Sequence, residues 1–351
     1  MKRLLCVLLV LALAVSCALA FSGCEHVYLS YPKSEKYVFG GRTVTETVRR
    51  VEVDWLSGSV RVVRSEGAGI SFSEEGSIPL TEKTSVHSYL EDGVLYIRFA
   101  AAGRQAVRQL HKDLTLTLPS DLPLDRLKIK TTTAAVTMEN AWADNVRVET
   151  VSGDVTVSGG TYDGLFELET QSGDLTLRDI RMTGRLFCET SSGNVLLDGA
   201  DVVGVLDVST MSGTTSGTVL GTFVELNVSA YVGDIDRTLD GVAKLFELES
   251  MSGDIRFASV STTPAAGEAH AMSGDVTVVL PPDAAFTLES GTITGTFECG
   301  FAMRQSGGKY VVGEGENGPL LRVQSASGKV RILPVGMEEI PPIEEPAQKS
   351  D

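Results

Sequence analysis

Val151-Ser152-Gly153-Asp154-Val155-Thr156-Val157 is followed twenty residues on by Gln171-Ser172-Gly173-Asp174-Leu175-Thr176-Leu177, then by Ser191-Ser192-Gly193-Asn194-Val195-Leu196-Leu197. The copies continue as Met211-Ser212-Gly213-Thr214, Val232-Gly233-Asp234-Ile235, Met251-Ser252-Gly253-Asp254 and Met272-Ser273-Gly274-Asp275. Their glycines stand at 153, 173, 193, 213, 233, 253 and 274, a step of 20 that lengthens to 21 only at the end. A period this regular is the mark of stacked supersecondary units, none of which can bury its apolar face alone. Thr133–Met138, Ser57–Val62 and Ser327–Ile332 read as outlying copies, and Ser290-Gly291-Thr292-Ile293 as a shortened one.

Within a repeat the residues alternate. Phe166, Leu168 and Thr170 face one way and Glu167 and Glu169 the other; after the Ser-Gly-Asp, Leu175 and Leu177 face in again. Period-2 alternation means strands with one buried face. The columns agree: 148, 168, 188, 208, 228 and 248 are Val, Leu, Cys, Val, Val and Leu. The expected fold is all-β, a parallel β-solenoid with about 20 residues per coil, its coils spaced about 4.8 Å apart. Residues 51–130 are expected to be less regular, with a hairpin near Glu91-Asp92-Gly93, and to cap the stack.

The start, MKRLLCVLLVLALAVSCALAFSGC, has the layout of an export signal: basic Lys2 and Arg3, an apolar run from Leu4 to Ala20, then small residues before Cys24. Phe21-Ser22-Gly23-Cys24 resembles the bacterial lipobox, with Phe21 in place of the usual Leu. Ala18-Leu19-Ala20 fits ordinary cleavage instead, and Ala14-Val15-Ser16-Cys17 is a poorer lipobox. The expected organisation is a lipoprotein signal over 1–23, lipidation at Cys24, a tether over 24–47, the repeat domain over 48–335 and an acidic, Pro-rich tail over 336–351. That places the body outside the cytoplasm, held to the membrane by its acyl chains.

A formal net charge of −16 argues against nucleic acid and anionic headgroups as partners. Only Cys188 and Cys299 lie in the body, without metal spacing, and read as small buried hydrophobes. His26, His87, His111 and His270 are scattered and read as surface residues. No sequence motif of a nucleophile, a zinc site or a phosphate loop is present, so no catalytic residue and no cofactor is expected. Asp154, Asp174, Asp234, Asp254 and Asp275 share one column, with Asn194 and Thr214 between, and Glu149, Glu169, Glu189 and Glu249 share another. Stacked carboxylates either hold a hard cation such as Ca²⁺ or, at the Asp positions, hydrogen-bond the turn backbone. Asn194 and Thr214 favour the turn.

Leu114-Thr115-Leu116-Thr117-Leu118-Pro119, then Pro123–Ile129, then the repeated Ser-Gly-Asp-Val-Thr-Val resemble the bacterial β-strand-repeat proteins labelled putative adhesins. The resemblance spans about residues 48–335. It implies an exported or membrane-tethered domain and carries no catalytic residues. The expected function is a lipid-anchored binding, adhesion or scaffolding module of the cell envelope, with an envelope polysaccharide or protein as partner. An accessory or sensor role in envelope stress signalling is the alternative within binding. A carbohydrate-active β-helical enzyme is disfavoured, because a step of 20 leaves little room for loops that would form a cleft.

Overall fold

Asn145–Thr150 lies parallel to Thr161–Thr170, and Thr161–Thr170 parallel to Arg181–Thr190. The register is set residue by residue: Val146 pairs with Phe166 and Phe166 with Leu186, while Val148 pairs with Leu168 and Leu168 with Cys188. All of these are buried. A second set of short strands, Ala135–Glu139, Val155–Ser158 and Leu175–Arg178, pairs in the same way through Val136, Val155 and Leu175. Each inward column is therefore apolar because its residues share one dry interior, with about 1.5–3 kcal/mol gained per fully buried large side chain.

The computed structural model describes residues 26–106, 110–122, 124–314 and 318–337, and divides into two units, Met1–Gly193 and Asn194–Asp351. Among the described residues the chain is all-β and mostly parallel, and its helical content is one 3-10 turn, Ser34–Lys36. No described helix is long and apolar enough to cross a membrane. Residues 1–25, with the export signal and Cys24, and residues 338–351 of the tail lie outside the described residues.

The Thr-x-Ser-Gly corner explains the repeat. The Thr170 hydroxyl is buried and accepts from the Gly173 N–H at 3.0 Å; Thr150 does the same for Gly153 and Thr190 for Gly193. The Thr190 hydroxyl in turn donates to Gly173 O of the preceding repeat at 3.3 Å. Gly is required there by close approach, since a Cβ on Gly173 would stand 2.1 Å from Gly153 O. Ser172 adds a hydroxyl bond to Val151 O at 3.4 Å. Thus three residues of the signature join one repeat to its neighbour.

The first unit begins irregularly, as expected. Arg50–Trp55 and Gly58–Ser65 pair directly with Arg126–Thr131 and Ala135–Glu139, so residues 66–125 are an insertion between adjacent repeats, and its strands Val94–Arg98 and Lys112–Pro119 stack on the other side of Arg50–Trp55 and Gly58–Ser65. Within it Ile70–Gly76 runs antiparallel to Lys112–Pro119, and His87–Glu91 and Val94–Arg98 form the hairpin turning at Asp92-Gly93. The expected tether is corrected: His26–Leu29 pairs with Gly103–Ala106, Val38–Phe39 with His87 and Ser88, and Arg42–Val44 with Ile70–Phe72. His87 is likewise not on the surface; it is buried, with Nδ1 2.9 Å from Ser85 O. Lys112 bolts this region together. It is wholly buried, with Nζ 2.7 Å from Glu74 Oε2 and 2.8 Å from Thr84 O, and it donates also to Phe99 O. The ammonium lies over the rings of Trp55 and Phe99, while the Trp55 indole donates to Lys112 O.

In the second unit Ala200–Ser212, Thr215–Val232 and Ile235–Ser252 continue at a step of 20, through Leu206, Leu226 and Phe246. The last copies are shuffled in space. Leu320–Ser327 lies between Ala266–Ser273 and Phe286–Thr292, so the final repeat of the sequence sits before its predecessor. The shortened copy is also corrected: its corner glycine lies four residues later than the expected Gly291. Its corner is Thr292-Ile293-Thr294-Gly295, where Gly295 N–H donates to Thr292 Oγ1 at 2.9 Å and the Thr292 hydroxyl donates to Gly328 O.

Two measurements check this packing. Thr215 occupies a buried column between Val195 and Ile235, and its hydroxyl has no partner among the described residues. Thr215→Val should raise stability by about 1 kcal/mol, read from the urea midpoint, because a desolvated hydroxyl is replaced by a methyl. Burial lowers the Lys112 pKa from 10.5 to about 8, against the pull of Glu74. Between those values the unfolded chain holds a proton that the folded chain has released. Stability contributed by Lys112 should therefore rise with pH across that window, by at most about 1.4 kcal/mol per unit relative to a Lys112→Met variant.

Candidate functional site

The Asp column is built into the corners. Asp154 Oδ1 accepts from the Asp174 N–H at 2.9 Å. In the second unit Asp234 accepts from Asp254 N–H, Asp254 from Asp275 N–H and Asp275 from Lys329 N–H, each at 2.8 Å. Asn194 does the same for Thr214 at 2.9 Å. The carboxylate therefore bonds the backbone of the following repeat and not its own turn. A neutral Asn supplies the same Oδ1. Among the described residues no three or more His, Cys, Asp or Glu side chains form a group that could hold a metal ion.

The Glu column meets cations from its own fold. On the outward face of the first unit, Lys128 stands beside Arg147 and Lys130 beside Glu149, and these beside Glu167 and Glu169 in turn. Glu149 contacts Lys128 at 3.3 Å and Lys130 at 2.6 Å, and Arg147 reaches Glu149, Glu167 and Glu169. Burial pushes the Glu149 carboxyl up, but the bonds from Lys130 and Arg147 outweigh it and hold the carboxyl below its ordinary value. Further along, the balance reverses. Burial raises Glu169 despite Arg147, and burial followed by Glu167 raises Glu189.

Toward the start of the chain the same face turns aromatic. Glu52 pairs in register with Tyr96 and Asp54 with Arg98. Arg98 is buried, donates to Glu52 O at 3.1 Å, and lies over the rings of Tyr31 and Tyr96 at 5.6 and 5.2 Å. Tyr37 stands 5.8 Å from Tyr31 and 5.5 Å from Tyr89, and Tyr89 stacks on Tyr96. Four half-buried tyrosines thus form a run, Tyr31 to Tyr37 to Tyr89 to Tyr96, whose two ends meet at the Arg98 guanidinium, with Lys36 over Tyr89 at the rim. Burial raises both the Tyr31 and Tyr37 hydroxyls, so the rings stay neutral over the physiological range. The Asp54 carboxyl is raised by burial too, although Arg98 opposes it. The arrangement offers flat apolar rings beside fixed donors and acceptors.

A family model, Toastrack DUF4097, matches residues 47–219 and 107–333. The chain belongs to this family. A search of curated proteins finds no match. Among solved structures the Toastrack chain is similar to a putative cell adhesion protein from Clostridium sporogenes, at 10% identity, TM-score 0.19, covering 85% of this chain and 100% of that one. It is similar also to a putative adhesin from Bacteroides fragilis, at 12% identity, TM-score 0.32, covering 87% and 100%. A putative lipid binding protein from Parabacteroides distasonis aligns at 13% identity, TM-score 0.37, covering 83% and 95%.

Of the residues singled out in the Toastrack sequence, Cys188 is buried in its expected column, while Cys299 is half-buried and its thiol is raised by burial. The Tyr31, Tyr37, Tyr89, Tyr96 and Arg98 cluster was not apparent in the sequence, because it is assembled from segments outside the repeat. If the Asp column serves as a hydrogen-bonding ladder, Asp254→Asn should change stability by less than about 0.5 kcal/mol and Asp254→Ala should cost about 1 kcal/mol. Millimolar Ca²⁺ should then shift the melting temperature of neither variant nor wild type beyond an ionic-strength control.

Proposed function

We propose that this Toastrack chain is a lipid-anchored β-solenoid of the cell envelope, with about 20 residues per coil, that binds envelope polysaccharide on the aromatic face of its first unit. The observation that carries the reading is the run of four tyrosines whose ends meet at Arg98. Sugar rings present C–H faces that stack on aromatic rings, and hydroxyls that bond to guanidinium and carboxylate groups. Glu52, Asp54 and Arg98 stand in register beside the tyrosines to supply those bonds. The corner motif supports a binding role in a different way. Its side chains join repeats, so outward positions are left to differ from one repeat to the next. Ser22-Gly23-Cys24 after an apolar run supports the anchor.

The test is titration of solubilised cell-wall polysaccharide against the full chain and two variants. Tyr37→Ala should weaken binding about tenfold, close to the 1.4 kcal/mol of one lost stacking contact, and Tyr37→Phe should retain it. Undiminished binding by Tyr37→Ala with an unchanged melting temperature would remove the aromatic face from the function. In cells Cys24→Ala should move the protein out of the membrane fraction; retention after normal processing would remove the anchor.

A further inference from the structure

The position after the corner Thr is outward in every repeat, and its chemistry changes between the units. In the first unit it is Val151, Gln171 and Ser191, all half-buried. In the second it becomes Met211, Tyr231, Met251 and Met272, with exposures of 37, 49, 41 and 51%. The register joins them: Ser212 pairs with Val232, Val232 with Ser252, and Ser252 with Ser273, so the residue just before each lies on an adjacent repeat. Ser273 pairs with Ser327, placing Ala326 next, and the Thr292 corner places Ile293, 83% exposed, beyond it. Six strands thus carry an apolar ridge about 24 Å long at the inter-strand spacing of about 4.8 Å.

Acid borders the Tyr231, Met251 and Met272 rungs, while Arg322 and Lys329 flank the Ala326 rung. Asp234 and Asp254 follow the ridge at the corners and are exposed. Glu249 and Glu247 precede it, and Glu247 sits among Glu225, Glu249 and Glu268 with its carboxyl raised first by burial and then by these neighbours. Glu268 is paired with Arg322, but Glu225, Glu247 and Glu249 are in no ion pair among the described residues. The first unit pairs Glu149, Glu167 and Glu169 with Lys128, Lys130 and Arg147; the second leaves Glu225, Glu247 and Glu249 open.

We propose that this ridge docks a basic amphipathic helix of a partner protein. The charges select the occupant. A second copy would bring acid against acid, and an anionic membrane surface would be repelled. Strand addition is closed off, because the backbones under the ridge are already paired with their neighbouring repeats. A helix uses side chains alone. Its turns rise about 5.4 Å, close to the rung spacing, so apolar residues at i, i+4, i+7 and i+11 fall near successive rungs over about 16 residues. Methionine thioethers adapt to the residual mismatch, and the flanking carboxylates meet Lys or Arg on the helix sides. The site is separate from the tyrosine face and stands whether or not that face binds polysaccharide.

The probe is an 18-residue Leu/Lys peptide with its leucines on one helical face, added to the full chain carrying ¹³C-methyl methionine. The expected result is binding that shifts the Met211, Met251 and Met272 methyl signals and weakens steeply with salt. Met251→Ser with Met272→Ser should weaken binding at least about tenfold, with an unchanged melting temperature since both side chains are exposed. A scrambled peptide of the same composition, and one with Glu for Lys, should bind at least as much more weakly. Equal binding by the scrambled peptide would reduce the site to bulk charge and overturn the proposal. So would undiminished binding by the double variant, absence of binding, or the same methyl shifts on self-association or on adding anionic vesicles.

Discussion

Each repeat must satisfy the backbone of the next at the corner, where at Gly153, Gly173 and Gly193 the two strands approach too closely for a Cβ. Gly173 against Gly153 O and Gly193 against Gly173 O leave about 2 Å for such an atom, which no side chain survives. A small buried hydroxyl then serves both the Gly N–H of its own repeat and the Gly carbonyl of the one before, as Thr190 does. Ser takes the place of Thr at Ser250 and Ser325, whose hydroxyls donate to Gly233 O and Gly274 O. Inward columns follow from this, because once the corners are in register every alternate residue on either side points into the same interior.

With the corner fixed, variation moves to the outward positions, and there the two units differ. The first carries tyrosines, an arginine and a ladder of ion pairs in which Arg147 alone serves three glutamates. The second carries methionines and unneutralised glutamates. Neither pattern follows from stacking. An outward Met gains little from folding, and a Glu raised by burial and like neighbours costs stability at neutral pH that acidification relieves. Residues kept against local stability are where interactions with other molecules are to be sought.

The repeat made most of the fold legible. The pairing of Leu168 with Cys188 and the interior place of Cys188 follow from counting by twenty. What escaped was whatever lacked the period. Residues 26–44 pair antiparallel with residues 26 to 80 positions further along the chain, and no alternation in so short a stretch reveals such partners. Ser327-Gly328 was recognisable as a corner, but a copy that fits any neighbour carries no record of its place in the order. Ser290-Gly291 matched the motif in letters, whereas the bonds select Thr292 and Gly295, since the hydroxyl-to-glycine spacing of three is what the geometry uses. Arg98 and its tyrosines come from four separate stretches whose common feature is position in space. Lys112 looks in sequence like a surface lysine at a strand end.

The stacked aspartates look like a problem that only a cation could solve, and the magnitudes say otherwise. Two like charges about 4.8 Å apart in water repel by about 0.9 kcal/mol, and salt reduces that further because the corners are exposed. Each carboxylate also accepts the N–H of the following repeat, a bond to a charged acceptor that contributes about 1.5–3 kcal/mol. Attraction along the column therefore exceeds repulsion at every step where the bond is made, with Asn194 contributing a somewhat weaker bond and no repulsion. The column is stable as a run of charge-assisted hydrogen bonds whose donors are the backbone itself. That is why Asp, Asn and Thr alternate in it freely while the Gly beside them does not change.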